Sequence, residues 1–273
     1  MRRISLQLRI PTHSDQNGAV ASASDRSFQS LCESLGGPTF PCVIALVGGG
    51  GKTTTLFGLT RRMRAQGQRV VATTTTKMGA SQTGGFAIVG TGFDDVLSGV
   101  SEHGAVVAVG TVHGHGDRPK VGGLSDSVIE QLFGSGHVDA IVIEADGSRR
   151  HSVKAPAHYE PVIPTCATHV VVVMGGDALD RVIGEVAHRP DLLAAVVDAQ
   201  ITDVLTAERA ARLLTSELGS RKSVPATARF IAVITKVTTD NMESVSDVAE
   251  RVRAQGFDVV LFPFDDNVAD SSR

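Results

Sequence analysis

Residues Val43-Ile44-Ala45-Leu46-Val47-Gly48-Gly49-Gly50-Gly51-Lys52-Thr53-Thr54-Thr55 hold the densest chemistry in the chain. An apolar, β-branched run empties through four glycines into a segment that opens on Lys-Thr. Leu56, Leu59, Thr60 and Met63 then follow at helical spacing. A strand, a glycine turn and a helix beginning with Lys-Thr form the design of a phosphate-binding loop. Gly48, Gly49, Gly50 and Gly51 let the main chain turn with its N–H groups inward. The helix N-terminus, at Thr53 and Thr54, adds partial positive charge. Lys52 would reach terminal phosphates, and the Thr53 hydroxyl would ligate Mg²⁺. The spacing departs from G-x-x-x-x-G-K-[ST], because the position of the first glycine falls on Leu46. The loop is shorter, and a glycine turn that holds no phosphate is the alternative. Such a turn has no need of Lys-Thr.

Asp139-Ala140-Ile141-Val142-Ile143-Glu144-Ala145-Asp146-Gly147-Ser148 is the second anchor. Carboxylates at the tip of an apolar strand are what a Mg²⁺ site beside a phosphate loop requires. Two such acids are costly there without a cation or hydrogen bonds. Glu144 and Asp146 are therefore candidate metal ligands, with Asp146 also a candidate catalytic group. Asp146-Gly147 ends an acidic-x-x-Gly pattern that in switch-type hydrolases swings toward the terminal phosphate. Arg149, Arg150, His151 and Lys154 follow. Arg149 would offset phosphate charge in a transition state, or these cations form a solvated loop. Thr73-Thr74-Thr75-Thr76-Lys77 ends another strand, as a site wall with Lys77 as a catalytic candidate or as plain β-propensity.

Thr235-Lys236-Val237-Thr238 stands where a guanine-reading Asn-Lys-x-Asp is expected. Thr238 has one hydroxyl and cannot accept from two guanine donors, so the base, in ATP or GTP, is left open. Lys236 would pack its stem over that base. His113, His115 and Asp117 are metal-ligand types in a glycine-rich stretch, better read as a hydrophilic loop.

These groups need strand tips and helix starts to position them. The spacing predicts a helix from Lys52 to Gln66 that stops at Gly67, and the same RAQG turn recurs before Phe257. Strands are expected at 86–89, 105–109, 138–144, 169–174, 229–234 and 258–262. Helices are expected at 93–101, 125–133, 206–218 and 243–255, with Ser127 and Glu130 as a capping box. Runs as apolar as Ala140–Ile143 and Val170–Val173 argue for strands covered on both faces. The alternation gives a doubly wound α/β fold: a mostly parallel sheet with helices on both faces, a P-loop NTPase-like three-layer sandwich. Ligands in such sheets collect at the carboxyl ends of the strands. Residues 1–40 read as a partly mobile arm with one short helix carrying Phe28, Leu31, Cys32 and Leu35. Residues 41–273 read as a single nucleotide-binding domain.

Composition narrows the functions. The 273 residues carry a net charge of −3, with 42% apolar and 20% charged residues. That balance offers no electrostatic footprint for nucleic acid or an anionic membrane. No apolar run approaches the roughly 18 residues of a membrane span. Cys32, Cys42 and Cys166 are odd in number and far apart, so neither a disulfide framework nor a Cys-x-x-Cys site is expected, and the cytoplasm is the natural compartment.

Taken together, the motifs resemble the YqeC-type selenium-dependent hydroxylase accessory proteins. The resemblance rests on Gly48 to Thr54, Thr73 to Lys77, Glu144 to Ser148, Lys154-Ala155-Pro156, Glu160-Pro161-Val162-Ile163-Pro164 and Gly176-Asp177-Ala178-Leu179. It spans roughly residues 40–262, and the short glycine loop is the form that family carries. The resemblance implies a nucleotide-binding factor that matures selenium-dependent molybdenum hydroxylases or makes their selenium cofactor. It carries Lys154, Pro156, Glu160 and Pro161 over as family positions. Thr235 and Thr238 depart from the family's late motif. The expected function is thus a Mg²⁺-dependent NTP hydrolase or phosphotransferase. The alternative is a nucleotide-gated carrier for a molybdopterin-type cofactor or target enzyme. A small-molecule kinase is a third reading, from the basic loops near 113–120 and 149–158.

Overall fold

Every residue of strand β1 (Cys42–Gly48) is buried, and its side chains divide the molecule. The structure is a computed structural model that describes residues 23–36, 40–79, 81–110, 112–113 and 120–263. Around β1 the chain runs through α1 (Ala23–Ser34), α2 (Lys52–Ala65), β2 (Val70–Thr74), β3 (Lys77–Gly79), β4 (Ala87–Val89) and α3 (Phe93–His103). It continues through β5 (Ala105–Ala108), β6 (Val112–His113), β7 (Lys120–Gly122), α4 (Asp126–Gly134), β8 (Ala140–Glu144), β9 (Val153–Lys154) and β10 (His169–Gly175). The last third holds α5 (Ile183–Val186), β11 (Ala187–His188), α6 (Pro190–Val197), α7 (Ala207–Thr215), β12 (Arg229–Val237), α8 (Met242–Ala254) and β13 (Asp258–Pro263).

Eight strands form one sheet in the order β13-β12-β10-β1-β8-β2-β5-β4. Each neighbouring pair is parallel. The apolar runs read from the sequence are its central strands, buried on both faces because parallel strands are covered by their crossover helices. Ile44 and Leu46 face a core shared with α1 and α2. Val43, Ala45 and Val47 face a second core with α3, α4, α7 and α8. The fold is thus the three-layer α/β sandwich that the alternation implies. From β1 the chain passes over β8 to β2, and after β8 it crosses to β10 on the other side of β1. That reversal opens a crevice at the carboxyl tips of β8, β1 and β10, where doubly wound sheets take ligands.

Both RAQG turns end their helices, with Gly67 and Gly256 each at φ +85°. The cap of α4 is a correction. Ser125, not Ser127, accepts from the Val128 amide, while Glu130 accepts from the Thr165 hydroxyl instead of closing a capping box. The antiparallel side sheet β3-β7-β6 and the pair β9-β11 were outside the sequence expectation. Helix α1 buries Phe28, Leu31 and Cys32, the turn after it buries Leu35, and the Phe28 ring meets Phe262 edge-on with centroids 4.8 Å apart. Residues 1–22 and 37–39 of the expected arm lie outside the described residues, as do His115 and Asp117.

Candidate functional site

The tip of β1 is joined to the tip of β8 by register, Leu46 opposite Glu144, and to β10 with Gly48 opposite Val173. The glycine turn therefore emerges between two strand ends. Gly50 sits at φ +71°, where a side chain is strained, and a Cβ there would lie 2.2 Å from the Gly175 nitrogen. No residue but glycine lets the turn pass so close to β10.

The amides of the turn do not all face inward. Gly48 N–H donates to Asp146 Oδ2 at 3.0 Å, Gly49 N–H to Val173 O at 2.8 Å and Gly50 N–H to His151 O at 3.0 Å. The expectation that Gly48, Gly49 and Gly50 offer donors to a ligand is corrected: their amides knit the turn to its neighbours. Among the described residues, the amides of Gly51, Lys52, Thr53 and Thr54 have no protein acceptor, and α2 begins without a side-chain cap. These four are the open donors of a helix start, the position an anion favours.

Lys52 and Thr53, on the first turn of α2, meet the acids of β8. The Thr53 hydroxyl donates to Glu144 Oε2 at 2.9 Å. Lys52 is 3% exposed; its Nζ donates to Gly48 O at 2.6 Å and lies 3.2 Å from Asp146 Oδ1. That oxygen is buried without an aligned hydrogen bond, so the contact to Lys52 is one of charge alone. Burial pushes the Glu144 carboxyl above its usual range, against the pull of Lys52 and the Thr53 hydroxyl. A half-buried carboxyl beside a hydroxyl oxygen offers the hard oxygen donors that Mg²⁺ takes. Glu144 and Thr53 fit that ion. Asp146 is a poorer fit than its position in the sequence suggests, because Lys52, Lys154 and the Gly48 amide already surround it.

Lys154 is the residue whose role was missed. Its buried Nζ lies 2.9 Å from Asp146 Oδ2 and 2.7 Å from Glu160 Oε2, and it donates to Gly147 O at 2.7 Å. Arg189 then meets Glu160 at 2.6 Å and donates to Tyr159 Oη at 3.2 Å. Burial alone would raise the Glu160 carboxyl, but the hydrogen bonds from Lys154 and Arg189 outweigh it and hold it low. Lys154 and Glu160 stand out in the sequence as charges within KAPAHYEP, whereas nothing marks Arg189.

The other candidates divide. Arg149, at φ +48°, is exposed on the segment whose His151 carbonyl receives the Gly50 amide. Lys77 is exposed at the start of β3, and among the described residues no hydrogen bond or ion pair ties it to the loop. Lys236 does reach the crevice: its Nζ meets Ser152 Oγ at 2.7 Å and Asp177 Oδ2 at 2.8 Å. Its neighbour Thr235 donates to the Gly50 carbonyl. Thr238 binds Asn241 through its amide, at 2.8 Å. His113 falls in β6 of the side sheet. No group of three or more His, Cys, Asp or Glu side chains suited to a metal occurs among the described residues, and none of their helices is long and apolar enough to cross a membrane.

His188, stacked on His151 with ring centroids 5.8 Å apart, is pushed down to about 4 by burial and then by Arg189, Lys154 and Arg149. A histidine with a lowered folded pKa stays neutral while the unfolded chain binds a proton, so stability falls as pH drops from 6.5 toward 4. We expect His188→Gln to flatten that part of a urea-midpoint profile against pH. His169, lowered mainly by burial, retains a slope of the same sign.

Comparison with known proteins gives the chain a family. A family model described as "YqeC protein" matches residues 44–191. The chain is 33% identical over 211 residues to the uncharacterized protein YqeC of Escherichia coli strain K12, covering 76% of this chain and 80% of that protein. Among solved structures, chloroplast FtsY from Physcomitrella patens aligns with a TM-score of 0.42 and 15% identity, over 86% of this chain and 65% of that one. The signal recognition particle receptor FtsY from Elizabethkingia anophelis gives 0.37 and 16%, over 87% and 63%. The chain thus spans less than two thirds of either structure, and both likenesses are too loose to bear on the site. On the family model and the curated relative, the chain belongs to the YqeC family.

Proposed function

We propose that this chain binds a nucleoside triphosphate with Mg²⁺ at the Gly48–Thr54 loop and hydrolyses it or transfers its terminal phosphoryl group. In this reading it acts as an accessory factor in the maturation of selenium-dependent molybdenum hydroxylases or of their selenium cofactor. The observation that carries the reading is the meeting of Lys52 and Thr53 with Asp146 and Glu144, at 3.2 and 2.9 Å, beside four open amides. Phosphate oxygens would take the amides of Gly51 to Thr54. The Lys52 ammonium would exchange Gly48 O and Asp146 for the terminal phosphates. Thr53 and Glu144 would hold Mg²⁺, which when bound draws charge from the phosphate oxygens. Arg149, exposed on the adjoining segment, would offset charge at the reacting phosphate, and Lys236 would line the side toward the base. Lys77 is the weakest of the catalytic candidates, since among the described residues no hydrogen bond or ion pair links it to the loop.

Calorimetric titration with ATP, GTP and CTP in the presence of Mg²⁺ tests the reading and identifies the base. Lys52→Ala removes a charge-assisted contact of about 1.5–3 kcal/mol. We expect it to weaken binding roughly 10- to 150-fold. Affinity unchanged by that substitution rules the site out.

One observation favours a carrier that uses nucleotide only as a signal: Lys52 is held by its own loop through Gly48 O and Asp146. Single-turnover phosphate release separates the two. Release that matches the protein concentration, with no target present, identifies a hydrolase. Binding without release identifies the carrier.

A further inference from the structure

Lys52, Asp146, Lys154, Glu160 and Arg189 alternate in sign along one unbroken path, with successive contacts of 3.2, 2.9, 2.7 and 2.6 Å. The path starts at the glycine loop and ends at Tyr159, which is 61% exposed. Its interior members are buried, so each charge depends chiefly on its neighbours on the path, with main-chain groups of Gly48 and Gly147 as further partners. Asp146 shares two ammonium groups, Lys154 shares two carboxylates, and Glu160 shares Lys154 with Arg189. No member can change partner without unbalancing the next.

We propose that Lys154, Glu160 and Arg189 form an ion relay that reports the position of the Lys52 ammonium to the surface at Tyr159. The proposal rests on the reading above, in which a phosphate draws Lys52 out of its loop. Once Lys52 leaves, Asp146 retains, among the described residues, Lys154 as its counter-charge and draws it closer. Glu160, left with a smaller share of Lys154, takes a larger share of the Arg189 guanidinium. Arg189 then gives up its hydrogen bond to Tyr159 Oη and its place 5.8 Å over the phenol ring. Each interior member holds two opposite charges at once, which a merely intervening residue lacks. Lys154 is accordingly a positioning residue. It touches no phosphate in this arrangement and acts through Asp146.

The chain contains one tyrosine and no tryptophan. Ring-¹³C-labelled tyrosine therefore gives a spectrum of Tyr159 alone, at neutral pH and in the intact 273-residue chain. Lys52→Met withdraws the ammonium without any ligand. We expect it to shift the Tyr159 ring resonances, and Mg²⁺-nucleotide to move the wild-type resonances in the same direction. In a Glu160→Gln background, where the path is cut, Lys52→Met is expected to leave the resonances in place. Resonances that do not respond to Lys52→Met overturn the relay, and so does an equal response in the Glu160→Gln background. If calorimetry finds no nucleotide binding, the functional reading fails, while the comparison of variants still decides the relay. Should Lys52→Met not fold, Lys52→Gln, which keeps a donor toward Gly48 O without the charge, supplies the same comparison.

Discussion

Asp146→Ala is expected to lower the unfolding free energy by about 3–5 kcal/mol, the usual cost of removing one partner from a buried ion pair. Lys52 would lose the carboxylate that lies 3.2 Å from it, and the Gly48 amide would lose its acceptor. Lys154 would keep Glu160 and Gly147 O but lose one of its two counter-charges. The loss is a large share of a typical total of about 5–15 kcal/mol. Urea denaturation measures it, and a double-mutant cycle assigns its origin. Asp146→Ala combined with Lys52→Met is expected to recover a substantial part, because the stranded ammonium is then gone. A single variant within about 1 kcal/mol of wild type would mean that water already solvates this cluster.

Gly50→Ala is the second large effect. The new methyl would collide with the backbone of Gly175 at 2.2 Å. It would also force a left-handed φ on a residue with a Cβ. Overpacking costs about 1–3 kcal/mol and the left-handed conformation about 1–2 kcal/mol, so a total of about 2–5 kcal/mol is expected. The damage falls on the turn itself, so nucleotide affinity should fall with stability. Gly67→Ala is the control: its φ is +85°, but nothing lies within 4 Å of its Cβ position. It should cost only the conformational part, about 1–2 kcal/mol, and leave binding intact. Equal losses at the two glycines would show that the approach to β10 does not matter.

The central sheet was legible because its strands are long, apolar and covered on both faces. A run such as Val170 to Val173 has few other fates. The glycine turn and the acids of β8 were legible because their side chains fall at strand tips, where the topology brings them together. The direction of the turn's amides was not, because their acceptors are the carbonyls of Val173 and His151, over a hundred residues away. Strands of two or three residues, such as β9 and β11, are too short to show a period. Ser125 and Ser127 are equally good caps on paper; the choice went to Ser125, while Glu130 was recruited by Thr165. Arg189 could not be recognised because its role exists only once Glu160 is folded beside it.

The wedge of Phe28 bears on how the loop can move. Its ring rests against the bare backbone of Gly58 on α2 and, on the other side, against Phe262 at the sheet's far margin. The helix that carries Lys52 and Thr53 is thereby bolted to a fixed bench and has little freedom to slide or roll. An incoming anion therefore meets a helix start that is already braced, and the change expected there is an exchange of partners by the Lys52 side chain rather than a shift of the helix.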